Sequence, residues 1–270
     1  MRVDLYVLGV PFWNADYTEF REWWDRVLAA EAERPTTLFI ANAHTLNIAC
    51  ANRRYAACLE GADAVVNDGF GYRIAARLRG FRTPYNFNGT DLFPRIFSEA
   101  VGPLRVFLYG ATDESNERTA QRIEQKYPMA KIVGRVNGYG SEEEAVSMIN
   151  ASSPDVLLCA LGQPKQELFL AGARDRLRAK IVVGVGGLFD FLSGSKPRAP
   201  KFIRDIGFEW LYRLAHEPRR LFRRYVIGNP VFLARCFLYL RRDKRMTSIN
   251  RQASPAESSE DTKAAPAGKA

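Results

Sequence analysis

Asp68 is the residue of this 270-residue chain whose setting most suggests proton chemistry. It stands in Asn67-Asp68-Gly69, directly after the apolar run 64–66. Asp-Gly is a common turn pair. A carboxylate lifted from the end of a buried strand into a cleft also suits a general base. A second set of residues suits phosphate. Gly110-Ala111-Thr112, Gly134, Gly162-Gln163-Pro164-Lys165-Gln166-Glu167 and Gly184-Val185-Gly186-Gly187 fall at the ends of short apolar runs. Glycine lets a backbone approach a phosphate, and a helix N-terminus favours its charge. Neither G-x-G-x-x-G nor G-x-x-x-x-G-K-[ST] occurs, which argues against a standard dinucleotide or P-loop site. A third set is cationic: Arg219, Arg220, Arg223 and Arg224 lie at helical spacing. Like charges four apart cost a few tenths of a kcal/mol per pair, which a diphosphate or an anionic membrane would offset.

Metal chemistry finds little support. The chain has four cysteines, none in a Cys-x-x-Cys pair, and two histidines. These spacings suit reduced thiols rather than a zinc site or a disulfide scaffold. No Asp-x-Asp occurs either. A diphosphate bound here would then have to be neutralised by arginine, and no cofactor is expected.

The net charge of +9 is concentrated. Residues 195–245 hold fourteen Lys or Arg against four acids, so the remainder is nearly neutral. An anionic partner therefore concerns this segment. Residues 226–240 are its most apolar stretch, but Asn229, Pro230 and Arg235 interrupt them, well short of a bilayer span. Phe232, Phe237, Leu238 and Tyr239 beside Arg235, Arg241, Arg242, Lys244 and Arg245 suit a helix lying in a membrane interface. The same pattern suits packing on the body of the protein or on another subunit.

The elements that must position these residues follow from periodicity. Apolar runs at 104–109, 131–133, 155–161 and 180–185 read as strands, and helices between them run from Thr112 or Asp113 to about 127, from Ser141-Glu142-Glu143-Glu144 to about 150, and from Pro164 to about 178. Such alternation predicts a parallel sheet covered on both faces. Upstream, 5–10, 37–41 and 64–66 read as strands, 17–30 and 45–59 as helices, and 81–88 as a hairpin or loop. The expected α/β architecture is a Rossmann-like parallel sheet flanked by helices, with a smaller N-terminal α/β unit (1–100), a ligand-binding unit (101–195), a helical C-terminal appendage (196–246) and a disordered tail (247–270).

Several motifs occur together and in order. They are Asp68-Gly69-Phe70-Gly71, Gly89-Thr90-Asp91-Leu92, Gly162 to Glu167, Gly184-Val185-Gly186-Gly187-Leu188-Phe189-Asp190-Phe191-Leu192-Ser193-Gly194, Arg198-Ala199-Pro200, Glu209-Trp210-Leu211-Tyr212-Arg213-Leu214 and Glu217-Pro218-Arg219-Arg220. Over about residues 5–240 the chain resembles the WecG/TagA/CpsF glycosyltransferases. That resemblance implies inverting, metal-independent transfer from a UDP-sugar to a sugar on a polyprenyl diphosphate, in cell-envelope polysaccharide synthesis. The donor sugar would be N-acetylmannosamine, its uronic acid or glucose. It implies Asp68 as the base, a substrate-binding Gln166, a uracil-side Asp190, and Arg213, Arg220 and Arg223 as C-terminal arginines, with Arg219 an alternative in that register. The motifs add Asn42, Thr90, Asp91, Gly110, Gln163, Lys165, Glu167 and Gly186 to the expected substrate site. The family's Thr-x-Asn is half kept, with Ile40 where threonine is usual, which would signal a different donor or acceptor sugar. The implied location is cytoplasmic, peripheral on the inner face of the cell membrane. The competing reading, a non-catalytic basic protein that binds nucleic acid, leaves Asp68, Gln166 and the glycine-rich strand ends without a role. No nucleic-acid partner is therefore expected.

Overall fold

The computed structural model describes residues 3–242, so the tail expected at 247–270 lies outside the described residues, as do Lys244 and Arg245. Six strands form one sheet: β3 (Thr36–Ala41), β4 (Ala64–Asn67), β5 (Leu104–Gly110), β6 (Ala130–Val136), β7 (Val156–Ala160) and β8 (Ile181–Gly184). Their order is β4-β3-β8-β7-β5-β6 and every pairing is parallel. Residues 1–100 thus contribute two strands and residues 101–195 four. A separate antiparallel hairpin, β1 (Leu5–Val7) and β2 (Val10–Phe12), replaces the single strand expected over 5–10. Leu8 and Gly9 both take positive φ and turn the chain there.

Alternation along the strands divides the core in two. Phe39, Val65, Phe107, Tyr109, Leu157, Cys159 and Val182 enter one apolar cluster. Their neighbours Leu38, Ala64, Val66, Val106, Leu108, Val156, Leu158, Ile181 and Val183 enter the other. Both faces are therefore covered, as near-continuous apolar strands require.

Thirteen α-helices lie in the described residues. The first seven are α1 (Tyr17–Ala29), α2 (Ala43–Ala51), α3 (Arg53–Glu60), α4 (Phe70–Arg77), α5 (Gly89–Ser98), α6 (Asp113–Lys126) and α7 (Glu142–Ser152). The others are α8 (Lys165–Gly172), α9 (Leu188–Leu192), α10 (Lys201–Asp205), α11 (Glu209–His216), α12 (Pro218–Phe222) and α13 (Gly228–Arg242). The helix expected over 45–59 is split at Asn52, whose side chain accepts from the Tyr55 N–H and starts α3 afresh. Local caps elsewhere match the sequence: Thr112 accepts from the Ser115 N–H and Ser141 from the Glu144 N–H. No regular element occupies 81–88.

The C-terminal segment is bound to the body. Phe232 is 1% exposed and belongs to a core cluster, because α13 packs across α2 and α4. The Arg235 guanidinium donates to the Asn47 carbonyl at 3.0 Å and to its Oδ1 at 2.8 Å, and Asn47 Nδ2 donates to the Gly228 carbonyl at 2.7 Å. Phe232 and Arg235, expected at a membrane interface, are thus spent on holding α13 down. Between α12 and α13 the chain makes one π-helical turn, Arg223–Ile227, in which the Gly228 N–H reaches the carbonyl of Arg223 five residues back. No helix among the described residues is long and apolar enough to cross a membrane.

Candidate active site

A cleft of about 700 Å³ opens at the carboxyl ends of β3, β4, β7 and β8, where a parallel sheet places its ligands. The helical segment from α11 to α13 walls its other side. Asn42, Asp68, Thr90, Gln163, Gln166, Gly186, Arg213, Arg220 and Arg223 all line it. Residues more than a hundred positions apart in sequence meet because β3 lies between β4 and β8.

Asp68 follows the last residue of β4, and its N–H donates to the Ala41 carbonyl at 2.9 Å. Asn42 Nδ2 donates to its carboxylate at 3.3 Å. Asn42 is itself fixed as the cap of α2: its Oδ1 accepts from the N–H groups of His44 and Thr45, at 3.0 and 3.2 Å. Burial raises the Asp68 pKa above the ordinary aspartate value. The Asn42 hydrogen bond and the charges of Arg224 and Arg213 oppose this without cancelling it. A carboxylate in that position is a stronger base than one in water.

Gln166, almost fully buried, spans the floor. Its Oε1 accepts the Gly186 N–H at 2.9 Å and its Nε2 donates to Glu167 Oε1 at 2.8 Å. The amide lies so close over β8 that a Cβ on Gly184 would stand 2.8 Å from Nε2. Gln163 Nε2 donates to Thr45 Oγ1 at 2.7 Å, joining this floor to the start of α2.

Five expected site residues lie outside the cleft lining. Gly110 ends β5, one strand beyond those whose ends form the cleft; its φ is +119°, and a Cβ there would stand 2.5 Å from the Ala160 carbonyl carbon. Lys165 opens α8 with its side chain in solvent. Glu167 lies beneath the floor. Asp91 pairs with Arg198 at 2.5 Å and Arg204 at 3.1 Å, tying α5 to the appendage. Asp190 pairs with Lys196 at 2.5 Å; Lys196 also meets Glu217 at 3.0 Å, and Glu217 binds Arg220. An acid–base chain thus joins Asp190 to the cleft arginine Arg220.

The model of the "Glycosyl transferase WecG/TagA/CpsF family" matches residues 5–246. The chain belongs to that family. It is a glycosyltransferase. Three relatives share the name N-acetylglucosaminyldiphosphoundecaprenol N-acetyl-beta-D-mannosaminyltransferase. One, from Bacillus spizizenii, is 37% identical over 63% of this chain and 66% of its own length. That from Bacillus subtilis strain 168 is 29% identical over 78% and 83%. A third, from Staphylococcus aureus strain MRSA252, is 28% identical over 84% and 89%.

This family member carries cleft residues that the sequence reading left unassigned. Arg224 lines the cleft together with Arg220, four residues before it on one helical face, and with its neighbour Arg223. Its Nε is buried without a partner, and burial holds its pKa below the ordinary arginine value. His44, at the start of α2, is pushed down to about 4 by burial and then by Arg224, so it is neutral at neutral pH. Glu209 accepts from Asn88 Nδ2 at 3.4 Å, and burial raises its pKa. Glu209 opens the motif Glu209 to Leu214 and Arg224 belongs to the basic run; no local signal marks the π turn or His44. Arg219 is exposed outside the lining. Among the described residues no cluster of three His, Cys, Asp or Glu could hold a metal ion.

Burial pushes the Glu167 carboxyl up to about 7, against hydrogen bonds that favour the ionised form, Gln166 first. The unfolded chain releases this proton near pH 4.3. Between about pH 4.3 and 7 the folded protein therefore holds a proton that the unfolded chain has lost. Glu167 then stabilises the fold most below that window, and the contribution disappears as pH rises through about 7. Thermal unfolding of Glu167→Gln should show the variant gaining on the wild type between pH 5 and pH 8. A constant difference across that range would show that Glu167 does not titrate there.

Proposed function

We propose that this glycosyltransferase moves a sugar, with inversion and without a metal, from a UDP-sugar to a polyprenyl-diphosphate-linked sugar at an anionic membrane surface, in cell-envelope polysaccharide synthesis. The observation that carries the reading is the pairing of a carboxylate of raised pKa with four cleft arginines: Asp68 on the sheet side, Arg213, Arg220, Arg223 and Arg224 on the helical side. Asp68 takes the proton from the acceptor hydroxyl. The oxygen attacks the anomeric carbon from the face opposite the nucleotide. The bond from that carbon to the diphosphate oxygen breaks, and its electron pair leaves on UDP. Arginines placed where this charge develops supply what a metal ion otherwise would. The relatives' names favour N-acetylmannosamine as the transferred sugar and a diphosphoundecaprenol-linked N-acetylglucosamine as the acceptor. Ile40 lines the cleft beside this chemistry and offers it only apolar surface.

The appendage supports the lipid side. Phe202 is 68% and Ile206 62% exposed, and Phe208, Leu211, Phe222 and Ile227 are exposed with them. Exposed apolar residues within a basic segment suit a surface that meets lipid.

Asp68→Asn should lower transfer by about 10²- to 10⁴-fold while UDP affinity and thermal stability hold, and the acid limb of wild-type kcat/KM should lie above the ordinary aspartate range near 3.9. Wild-type turnover by the variant would remove Asp68 as base. Transfer should survive EDTA; activity lost to EDTA and restored by magnesium or manganese would overturn the arginine mechanism. In co-sedimentation, the protein should bind phosphatidylglycerol-containing vesicles and release as salt shortens the Debye length from about 10 Å to 3 Å. A Phe202→Ser, Ile206→Ser double variant should bind less, and equal binding would exclude this face.

A further inference from the structure

Gln166 holds the Gly186 N–H only if its amide oxygen, and not its amide nitrogen, faces that group. The two ends of a carboxamide have nearly the same shape, so packing alone does not choose between them. A donor facing the Gly186 N–H would leave that N–H unsatisfied beside the cleft, so the choice matters.

Glu167 makes the choice. It is 1% exposed and sits beneath the cleft floor, where Gln166 Nε2 donates to its Oε1 at 2.8 Å. The ionised carboxylate has only acceptors to offer. It draws the NH₂ end of the neighbouring amide towards itself and so turns the Gln166 oxygen to Gly186, at 2.9 Å. Gly184 leaves the amide room to lie across β8 in that orientation. The groups around Glu167 come from several elements. They are Tyr55 and Cys58 of α3, Cys159 of β7, and Gln163 just before α8. None is cationic, so no opposite charge accounts for a buried carboxylate here, although Tyr55 and Gln163 lie close enough to favour its ionised form. A carboxyl kept under those conditions is expensive, and an apolar residue would fill the volume more cheaply. What the carboxylate supplies is direction.

We infer that Glu167 is a positioning residue for the donor site: through Gln166 it fixes the Gly184-Val185-Gly186-Gly187 turn that lines the cleft. The inference rests on the reading of this cleft as a UDP-sugar site.

The experiment measures UDP binding by calorimetry together with donor KM and kcat, for the wild type, Glu167→Met, Glu167→Gln, Gln166→Ala and the Gln166→Ala, Glu167→Met pair. Glu167→Met should weaken UDP binding and raise donor KM by about tenfold, the loss of roughly one directed hydrogen bond, with kcat changed less than threefold. Glu167→Gln still offers an oxygen to Gln166 and should stay within about threefold of wild type, which a requirement for charge alone would not allow. In the Gln166→Ala background the effect of Glu167→Met should vanish, since the residue acts through that amide. Should Glu167→Met not fold, Glu167→Asp takes its place, since it keeps a carboxylate but withdraws it by one methylene. A folded Glu167→Met or Glu167→Asp with wild-type UDP affinity, or an undiminished effect in the Gln166→Ala background, overturns the inference. If wild-type protein itself fails to bind UDP, the donor-site reading falls instead.

Discussion

The orientation of Asn42 is the constraint on which the site turns. A helix start leaves N–H groups that need acceptors, and at α2 those of His44 and Thr45 claim the Asn42 oxygen. Only the Asn42 nitrogen is then left for Asp68. Secondary structure thus dictates which polar atom the carboxylate meets: a single donor that steadies it without suppressing its basicity. Because β3 lies beside both β4 and β8, the same short segment also reaches Gln163 through Thr45, and hence the opposite rim of the cleft. Shifting β3 by one residue would move the cap, its contact with Asp68 and this bridge together.

Electrostatics then couples the two walls. Arg213 and Arg224 pull the Asp68 carboxyl towards its ionised form while burial pushes it the other way. Arg224 is likewise held below the ordinary arginine range, and His44 is kept neutral beside it. The cleft therefore gathers positive charge in a buried setting that disfavours it. On the proposed reading, an incoming diphosphate would offset that charge and withdraw some of the positive field from Asp68, raising its basicity. The acid–base chain from Asp190 through Lys196 and Glu217 to Arg220 keeps one of these arginines steady meanwhile.

Strand positions were legible because each is a short apolar run ended by glycine or a turn, and the parallel sheet followed from their alternation with helices. Asp68 was legible because it follows such a run directly, and Gln166 through the motif Gly162 to Glu167 that carries the family resemblance. The strand order was not, and it excludes Gly110, whose strand resembles the others but ends one place too far along the sheet. Asp91 and Asp190 sit in the right motifs, yet their carboxylates are engaged by Arg198, Arg204 and Lys196, partners that only the fold brings near. Phe232 and Arg235 read as interfacial from amphipathicity, a pattern that is the same whether a helix meets lipid or protein. Arg224 stood in the basic run at helical spacing from Arg220, but only the fold shows that it, and not Arg219, turns to the cleft just where the π turn begins.

That π turn also acts as a phase adjuster. An α-helix advances about 100° per residue, so the extra residue accommodated between Arg223 and Ile227 sets the rotation of everything that follows. With it, Phe232 points into the core and Arg235 reaches Asn47, while Arg223 and Arg224 still face the cleft. Loss of one residue in this turn would let a regular helix form, locally the less strained structure, and would swing Phe232 and Arg235 off the body by about a quarter turn. The length of this five-residue stretch is thus under tighter constraint than its composition. Natural variants of the fold should exchange side chains there far more readily than they gain or lose a residue.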